Sequence, residues 1–364
     1  MEMSDMKEKV RVGLIGLGRV GIQMHLYELD RFADMFELAA CCDVLEDRVA
    51  AVKERYPAVH GYTDAEALIA DPEVELVTIA VPSRLHVMMA EQALAAGKIV
   101  FLEKPFALSM EGLARLRKLD ELYPGKLFLR HNRRFEACYN HILDVMKSGV
   151  LGDVYEIKLR RLRHRFRDDW QTRLDCGGGQ LYNWGPHLID QALQFLDGDV
   201  ESVFSDMKVI AARGDAEDHI KLVFRGVNGR VVDVEISDAV PIQNEPVATV
   251  YGTRGVLISQ DERTLDLQYL APDFPIPPAV SRLDAPPISG GGVYSTAPDP
   301  VWVKESIPVA PANGFDLSSI YKYLYLAIRE NLPFPVKNTE GFRNTEMMLK
   351  IKAAHPAFTG AGDL

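Results

Sequence analysis

Hydrophobic residues in the first third of the chain gather into short runs that alternate with stretches of helical spacing. Val10 to Ile15, Glu37 to Cys42, Val74 to Val81, Ile99 to Leu102 and Leu127 to Arg130 read as strands, and the uninterrupted runs suit strands buried on both faces. Between them, Gly21 to near Phe32, Leu45 to Tyr56, Leu85 to Ala96 and Ser109 to Leu122 have helical periodicity. Gly97 falls just past one helix, and Thr63-x-x-Glu66 has the form of a capping box. This alternation predicts an α/β fold with a doubly wound parallel sheet.

After His131-Asn132-Arg133-Arg134-Phe135 the pattern changes. One helix, Glu136 to Lys147, precedes segments rich in strand formers: Val154 to Arg163, Val200 to Ile210, Ile220 to Phe224, Val231 to Ser237, Ala248 to Tyr251 and Val256 to Ser259. With a hairpin signal at Asn228-Gly229, they predict an α+β unit with a large, mostly antiparallel open sheet. Residues 271–314, including Ile276-Pro277-Pro278 and Gly290-Gly291-Gly292, read as a long loop or arm, followed by helices near Phe315 to Glu330 and Glu340 to Ala354. The expected domains are residues 1–130 and 131–364, because a chain of 364 residues exceeds the roughly 250 to 300 at which single cores stop growing.

A formal charge of −11 disfavours a nucleic acid duplex or an anionic membrane as principal partner. No apolar run approaches the ~18 residues of a membrane span, and residues 1–9 lack the apolar segment of a secretion signal, so a cytoplasmic location is expected. Cys41, Cys42, Cys138 and Cys176 have no metal-ligand spacing and read as reduced structural thiols; no metal is expected.

The first strand runs into Gly16-Leu17-Gly18-Arg19-Val20-Gly21, a G-x-G-x-x-G spacing between strand and helix. Gly16 permits the tight turn, Gly18 lets backbone approach a pyrophosphate, and Gly21 lets the helix pack on the sheet. Asp43 ends the next strand 22 residues beyond Gly21, near the spacing of a carboxylate that binds ribose hydroxyls, so NAD is expected in preference to NADP. Pro105 stops the strand Ile99 to Leu102 and leaves Lys104 at its carboxyl end, the edge where open parallel sheets bind ligands. Farther on, Gly177-Gly178-Gly179 suggests backbone packed against a neighbour or ligand, and Asn183 and His187, four apart, share a face if helical. His86 reads as a half-buried structural histidine.

The glycine motif with Asp43, then Glu103-Lys104-Pro105, then Gly177-Gly178-Gly179 leading to Asn183, His187 and Asp190, resemble the glucose-fructose oxidoreductase and inositol dehydrogenase superfamily. The resemblance implies a Rossmann domain, a cis bond before Pro105, and a homo-oligomer, dimer or tetramer, formed through the second domain's open sheet. It also implies an NAD-dependent oxidoreductase acting on a secondary alcohol of a sugar, sugar derivative or cyclitol, with Lys104 and His187 in proton transfer. The cofactor set is then Gly16, Gly18, Arg19, Val20, Gly21, Asp43, Pro82, Ser83, Glu103 and Lys104. Asn183 stands where aspartate is commoner and Val81-Pro82-Ser83 where Thr-Pro-Asn is common; a neutral amide at 183 is assigned to orienting the substrate or Lys104. Arg133, Asp169, Trp170 and Gln171 are candidate substrate contacts. Two other functions share these motifs: an NAD-dependent glycosidase with transient oxidation, and a non-catalytic NAD-binding regulatory protein.

Arg160, Arg161, Arg163, Arg165, Arg167 and Arg173 form an unusual run of cations. Strand alternation splits them between faces, and most are expected to be solvated or paired with acids. Those from Arg165 onward lie near the glycine-rich stretch in sequence, where an acidic or phosphorylated sugar is the alternative use.

Overall fold

The computed structural model describes residues 8–241, 245–276, 298–360 and 362–364. Strands β1 (Val10–Ile15), β2 (Phe36–Cys42), β3 (His60–Tyr62), β4 (Leu76–Ile79), β5 (Ile99–Leu102) and β6 (Leu127–Leu129) form a parallel sheet in the order β3-β2-β1-β4-β5-β6. Helices α1 (Tyr27–Arg31), α2 (Glu46–Arg55), α3 (Ala65–Ala70), α4 (His86–Ala95) and α5 (Met110–Leu122) connect the strands, with a wider π-type turn over Gly21–Leu26 leading into α1. Both faces are covered: Cys41 joins Val10, Val12 and Leu14 in one core, and its neighbour Cys42 joins Ile15, Val77 and Ile79 in the other. The order of strands reverses between β1 and β4, which opens a crevice at their carboxyl ends. One local expectation shifts by a residue. Asp64, not Thr63, caps α3, because its carboxylate accepts from both Glu66 N and Ala67 N.

The second unit carries α6 (Ala137–Ser148), β7 (Val154–Leu162), α7 (Gln180–Asn183), α8 (Gly185–Leu196), β8 (Val200–Lys208), β9 (His219–Gly226), β10 (Val231–Ser237), β11 (Ala248–Gly252), β12 (Gly255–Ser259), β13 (Thr264–Leu270) and β14 (Trp302–Pro308). These strands pair in the order β14-β13-β12-β11-β7-β10-β9-β8, antiparallel except between β7 and β10. Ile157, Leu159, Leu222, Val234 and Val250 share one core with Ile142 of α6 and Leu188 of α8. Strand β14 corrects the expectation of a loop throughout 271–314. It is an edge strand with only Val303 and Ile307 partly buried, so pairing with β13 forms it without an apolar pattern to announce it. Residues 277–297 of that expected loop lie outside the described residues. Among the described residues no helix is long and apolar enough to cross a membrane.

The parallel strands end at Leu129 and the larger sheet begins at Val154, but the chain later returns to the first sheet. Helix α9 (Ser319–Glu330) sends Ile320, Tyr321 and Leu324 into the core that holds Phe36 and Phe101. Helix α10 (Asn338–Ala353) places Phe342 and Leu349 in the opposite core of the first domain and Met348 and Ile351 in the core of the second.

A buried polar network joins α9 to the carboxyl edge of the first sheet. Arg130, 2% exposed, donates to both oxygens of Glu28 at 2.8 and 2.7 Å and to Glu103 at 2.7 Å. Glu103 also meets His25 Nε2 at 3.1 Å, while His25 Nδ1 lies 2.7 Å from the Tyr321 hydroxyl. Removing one partner of a buried pair leaves charge uncompensated. Arg130→Met should therefore lower stability by about 3–5 kcal/mol in urea unfolding, the range for a broken buried pair. A loss below about 1 kcal/mol would show that Glu28 and Glu103 are solvated or protonated instead.

Candidate active site

The turn after β1 has the shape a dinucleotide requires. A Cβ on Gly16, whose φ is +98°, would strike the carbonyl of Ala80, and one on Gly21 would strike the carbonyl oxygen of Gly16. At Gly18 a Cβ would meet nothing within 4 Å. Two glycines thus permit close packing, and the third leaves open backbone where a pyrophosphate can approach. Asp43, at the end of β2, is buried and accepts from Leu17 N at 2.8 Å, Leu45 N at 3.1 Å and Arg48 at 3.2 Å, so its carboxylate is fixed against the glycine turn. Past β4, Pro82 is exposed and Ser83 is buried at the start of a short turn. His86 is fully buried, not half-buried. It lies between the carbonyls of Val81 at 3.0 Å and Pro105 at 2.7 Å, and so ties the loops after β4 and β5 together.

Beside the glycine turn is a cleft of about 290 Å³ between the two domains. Arg19, Val20, Glu103 and Lys104 line it from the first domain, and Arg133, Asn183 and His187 from the second. The Lys104-Pro105 bond is cis. Lys104 Nζ donates to the main-chain oxygen of Asn183 at 3.0 Å. The Asn183 side chain faces Gln180 Oε1 at 3.4 Å, so its link to Lys104 is through backbone and not through the amide. That backbone is set by Glu217, whose carboxylate accepts from Leu181 N at 3.1 Å and from Lys352 at 2.9 Å. Gly179, at φ +106°, is what lets the chain pass Glu217: a Cβ there would occupy the carboxylate's place.

Electrostatics separates the two proton-handling candidates. Burial pushes Lys104 down to about 8; Glu103 opposes that shift, and Arg130, Arg19 and Arg133 add to it. For His187, burial and then Lys104 and Arg133 hold the ring well below its ordinary value. Its Nδ1 is buried without a protein partner, and its ring packs edge-on to Trp184 at 5.9 Å.

Arg133 reaches the cleft as expected, paired with Glu136 at 2.8 Å and stacked 4.5 Å over Trp184. Trp170 does not. It begins a short turn capped by Asp169, is 45% exposed, and is absent from the cleft lining. Asp169 and Gln171 instead hold Arg167. Arg130, Arg163, Arg165 and Arg167 line the cleft, which the site residues chosen from sequence omit. The period of two that splits the arginines between faces was the available signal. Gly18→Val should leave stability within about 0.5 kcal/mol while weakening NADH binding by about tenfold or more, whereas Gly21→Val should destabilise by about 1–3 kcal/mol through overpacking. Calorimetric titration and urea unfolding separate these outcomes.

Residues 10–128 match the family model described as an oxidoreductase family with an NAD-binding Rossmann fold, and residues 139–258 match the GFO/IDH/MocA C-terminal domain. The chain is 30% identical over 229 residues to the uncharacterized oxidoreductase YdgJ of Escherichia coli, covering 62% of this chain and 65% of that one. It is 29% identical over 262 residues to the myo-inositol 2-dehydrogenase of Thermotoga maritima, covering 70% and 76%. A solved NAD-binding protein from Listeria innocua, 23% identical, superposes with a TM-score of 0.79 over 98% of this chain and 97% of that one. With both of its domains matched, this chain belongs to the GFO/IDH/MocA family of NAD-binding oxidoreductases.

Proposed function

We propose that this chain transfers a hydride between a nicotinamide dinucleotide and a secondary alcohol of a sugar, sugar derivative or cyclitol. The observation that carries the reading is Lys104 Nζ, fixed at 3.0 Å by Asn183 O, in one cleft with His187 and the glycine turn. The inositol-acting relative supports the substrate class. When bound, the dinucleotide supplies the hydride acceptor or donor. In oxidation, neutral Lys104 takes the hydroxyl proton as the same carbon gives up its hydride; in reduction, the ammonium returns that proton. A base works best with a pKa near the operating pH, and about 8 meets this condition. His187 is too weak a base for the task and remains neutral, where its ring can hydrogen-bond and orient the substrate hydroxyl.

Asp43 favours NAD, because a carboxylate there bonds ribose hydroxyls and repels a 2′-phosphate, though Arg48 at 3.2 Å offsets part of its charge. The outer face of the eight-stranded sheet supports self-association into a dimer or tetramer. There Arg160, Lys221 and Asp233 interlock beside the stacked Tyr155 and Tyr251. Light scattering on the eluting protein tests this, and a monomer overturns it.

A screen of sugars, sugar acids and cyclitols with NAD, read as NADH absorbance, tests the activity. Glycoside cleavage without NADH accumulation would replace the reading with a transient-oxidation glycosidase, and intact NADH binding with no turnover would leave a binding protein. Lys104→Met should keep NADH affinity and lower turnover by roughly a hundredfold or more. Since the base must be unprotonated, kcat/KM for oxidation should rise with pH through about 8, and in reduction it should fall over the same range. Asp43→Ser with Arg48 retained should turn a preference for NADH into one for NADPH; calorimetry showing tighter NADPH binding by the unaltered protein would reverse the assignment.

A further inference from the structure

We infer that the substrate of this cleft carries an anionic group, a carboxylate or a phosphate, and that Arg165 binds it. The inference deepens the dehydrogenase reading and rests on it for the location of the reacting carbon. Its basis is the chain just past β7. Extended backbone continues there, tied by Arg163 N to Ser237 O and Arg165 N to Asp238 O at 2.9 and 2.8 Å. Alternation then sends Arg163, Arg165 and Arg167 to the cleft, while His164 and Phe166 pack edge to face with each other at 4.8 Å.

Most cations of the cleft already have carboxylate partners. Arg163 pairs with Asp238, Arg167 with Asp169, Arg133 with Glu136, and Arg130 with Glu28 and Glu103. Among the described residues Arg165 has no carboxylate within ion-pair distance, although its main chain is anchored. Its exposed guanidinium is therefore a fork of donors on the cleft lining without a carboxylate acceptor, the form suited to carboxylate or phosphate oxygens of a ligand. Among the described residues Arg19 also lacks a carboxylate partner, but it stands on the glycine turn, where the dinucleotide reading puts the cofactor's own phosphates, whereas Arg165 comes from the opposite domain.

The rest of the lining points the same way. Among the described residues Glu103 is the one carboxylate on the cleft wall, and its Oε1 is engaged by Arg130 and His25 and its Oε2 by Lys104 N. A neutral polyol offers hydroxyl protons that a free carboxylate would accept, and arginine can only donate. Cations concentrated here in a chain of net charge −11 run against the overall composition, which makes the cleft an attractive field for an anion.

The test uses the full chain loaded with NADH, titrated calorimetrically with D-glucose, D-glucuronate and D-glucose 6-phosphate, which differ only at carbon 6. At least one anion should bind tenfold or more tightly than glucose, about 1.4 kcal/mol, and the preferred one tells carboxylate from phosphate. Arg165→Gln should abolish that preference and leave NADH affinity unchanged. Equal affinity for all three, no binding of any, or a preference that survives Arg165→Gln overturns the inference. NADH formation from the same compounds with NAD is measured separately. Anion binding lost in Arg165→Gln but without turnover of any substrate would sink the dehydrogenase reading alone, and turnover of neutral glucose without anion preference would sink the anion site alone.

Discussion

One buried guanidinium sets the geometry of the cleft. Arg130 leaves the end of β6 and is enclosed by Glu28 and Glu103, an arrangement that costs desolvation of three charged groups and persists because each side is compensated. Burial alone would raise Glu103, but Arg130 and His25 hold its carboxyl well below the usual range, so it stays charged. The same carboxylate accepts from Lys104 N at 3.1 Å. The turn that aims Lys104 is thereby fixed by the ion pair beneath it. Through His25 the network ends on Tyr321, which explains why α9 returns to the first sheet: its tyrosine completes the polar set that the strand ends create.

This arrangement also governs the charge that Lys104 experiences. Glu103 pulls its pKa upward, yet burial outweighs that pull, with Arg130, Arg19 and Arg133 adding to the depression. The neutral amide of Asn183 adds no opposing charge. Burial, with those cations adding to it, thus brings Lys104 down to about 8 and, with Lys104 itself and Arg133 adding, holds the His187 ring well below its ordinary value. One electrostatic environment assigns two roles.

What was legible in the sequence was local. The glycine turn, Asp43, Lys104 before Pro105, and the helix bearing His187 follow from short-range spacing; Lys104 and His187 line one cleft beside the glycine turn, against which Asp43 is held. Features decided by distant contacts were not legible. Strand β14 exists because β13 pairs with it, and Arg130 gains its role from Glu28, which lies 102 residues away. The link between Asn183 and Lys104 runs through a carbonyl oxygen, which no residue identity encodes. Trp170 is a candidate substrate contact by sequence, but Asp169 caps its turn and the indole is 45% exposed, outside the cleft lining. Alternation separates Arg160 from Arg161 but keeps Arg163, Arg165 and Arg167 on one face, and it does not say that this face meets the cleft; that depends on how the second domain docks.

Docking therefore carries the last requirement. Lys104 and His187 belong to different domains, and the proposed hydride transfer needs reacting atoms within about 3–3.5 Å, which requires a stiff joint. Helix α10 supplies that stiffness by packing into both cores. At its centre Asn344, fully buried, donates to Pro186 O at 2.7 Å and lies 3.4 Å from His131 Nε2. One side chain thus spans from the residue after Arg130 to the residue before His187. Among the described residues, helix α10 contributes nothing to the cleft lining, so it holds the two halves of the site in register from outside, and a change at Asn344 acts on the cleft through that spacing.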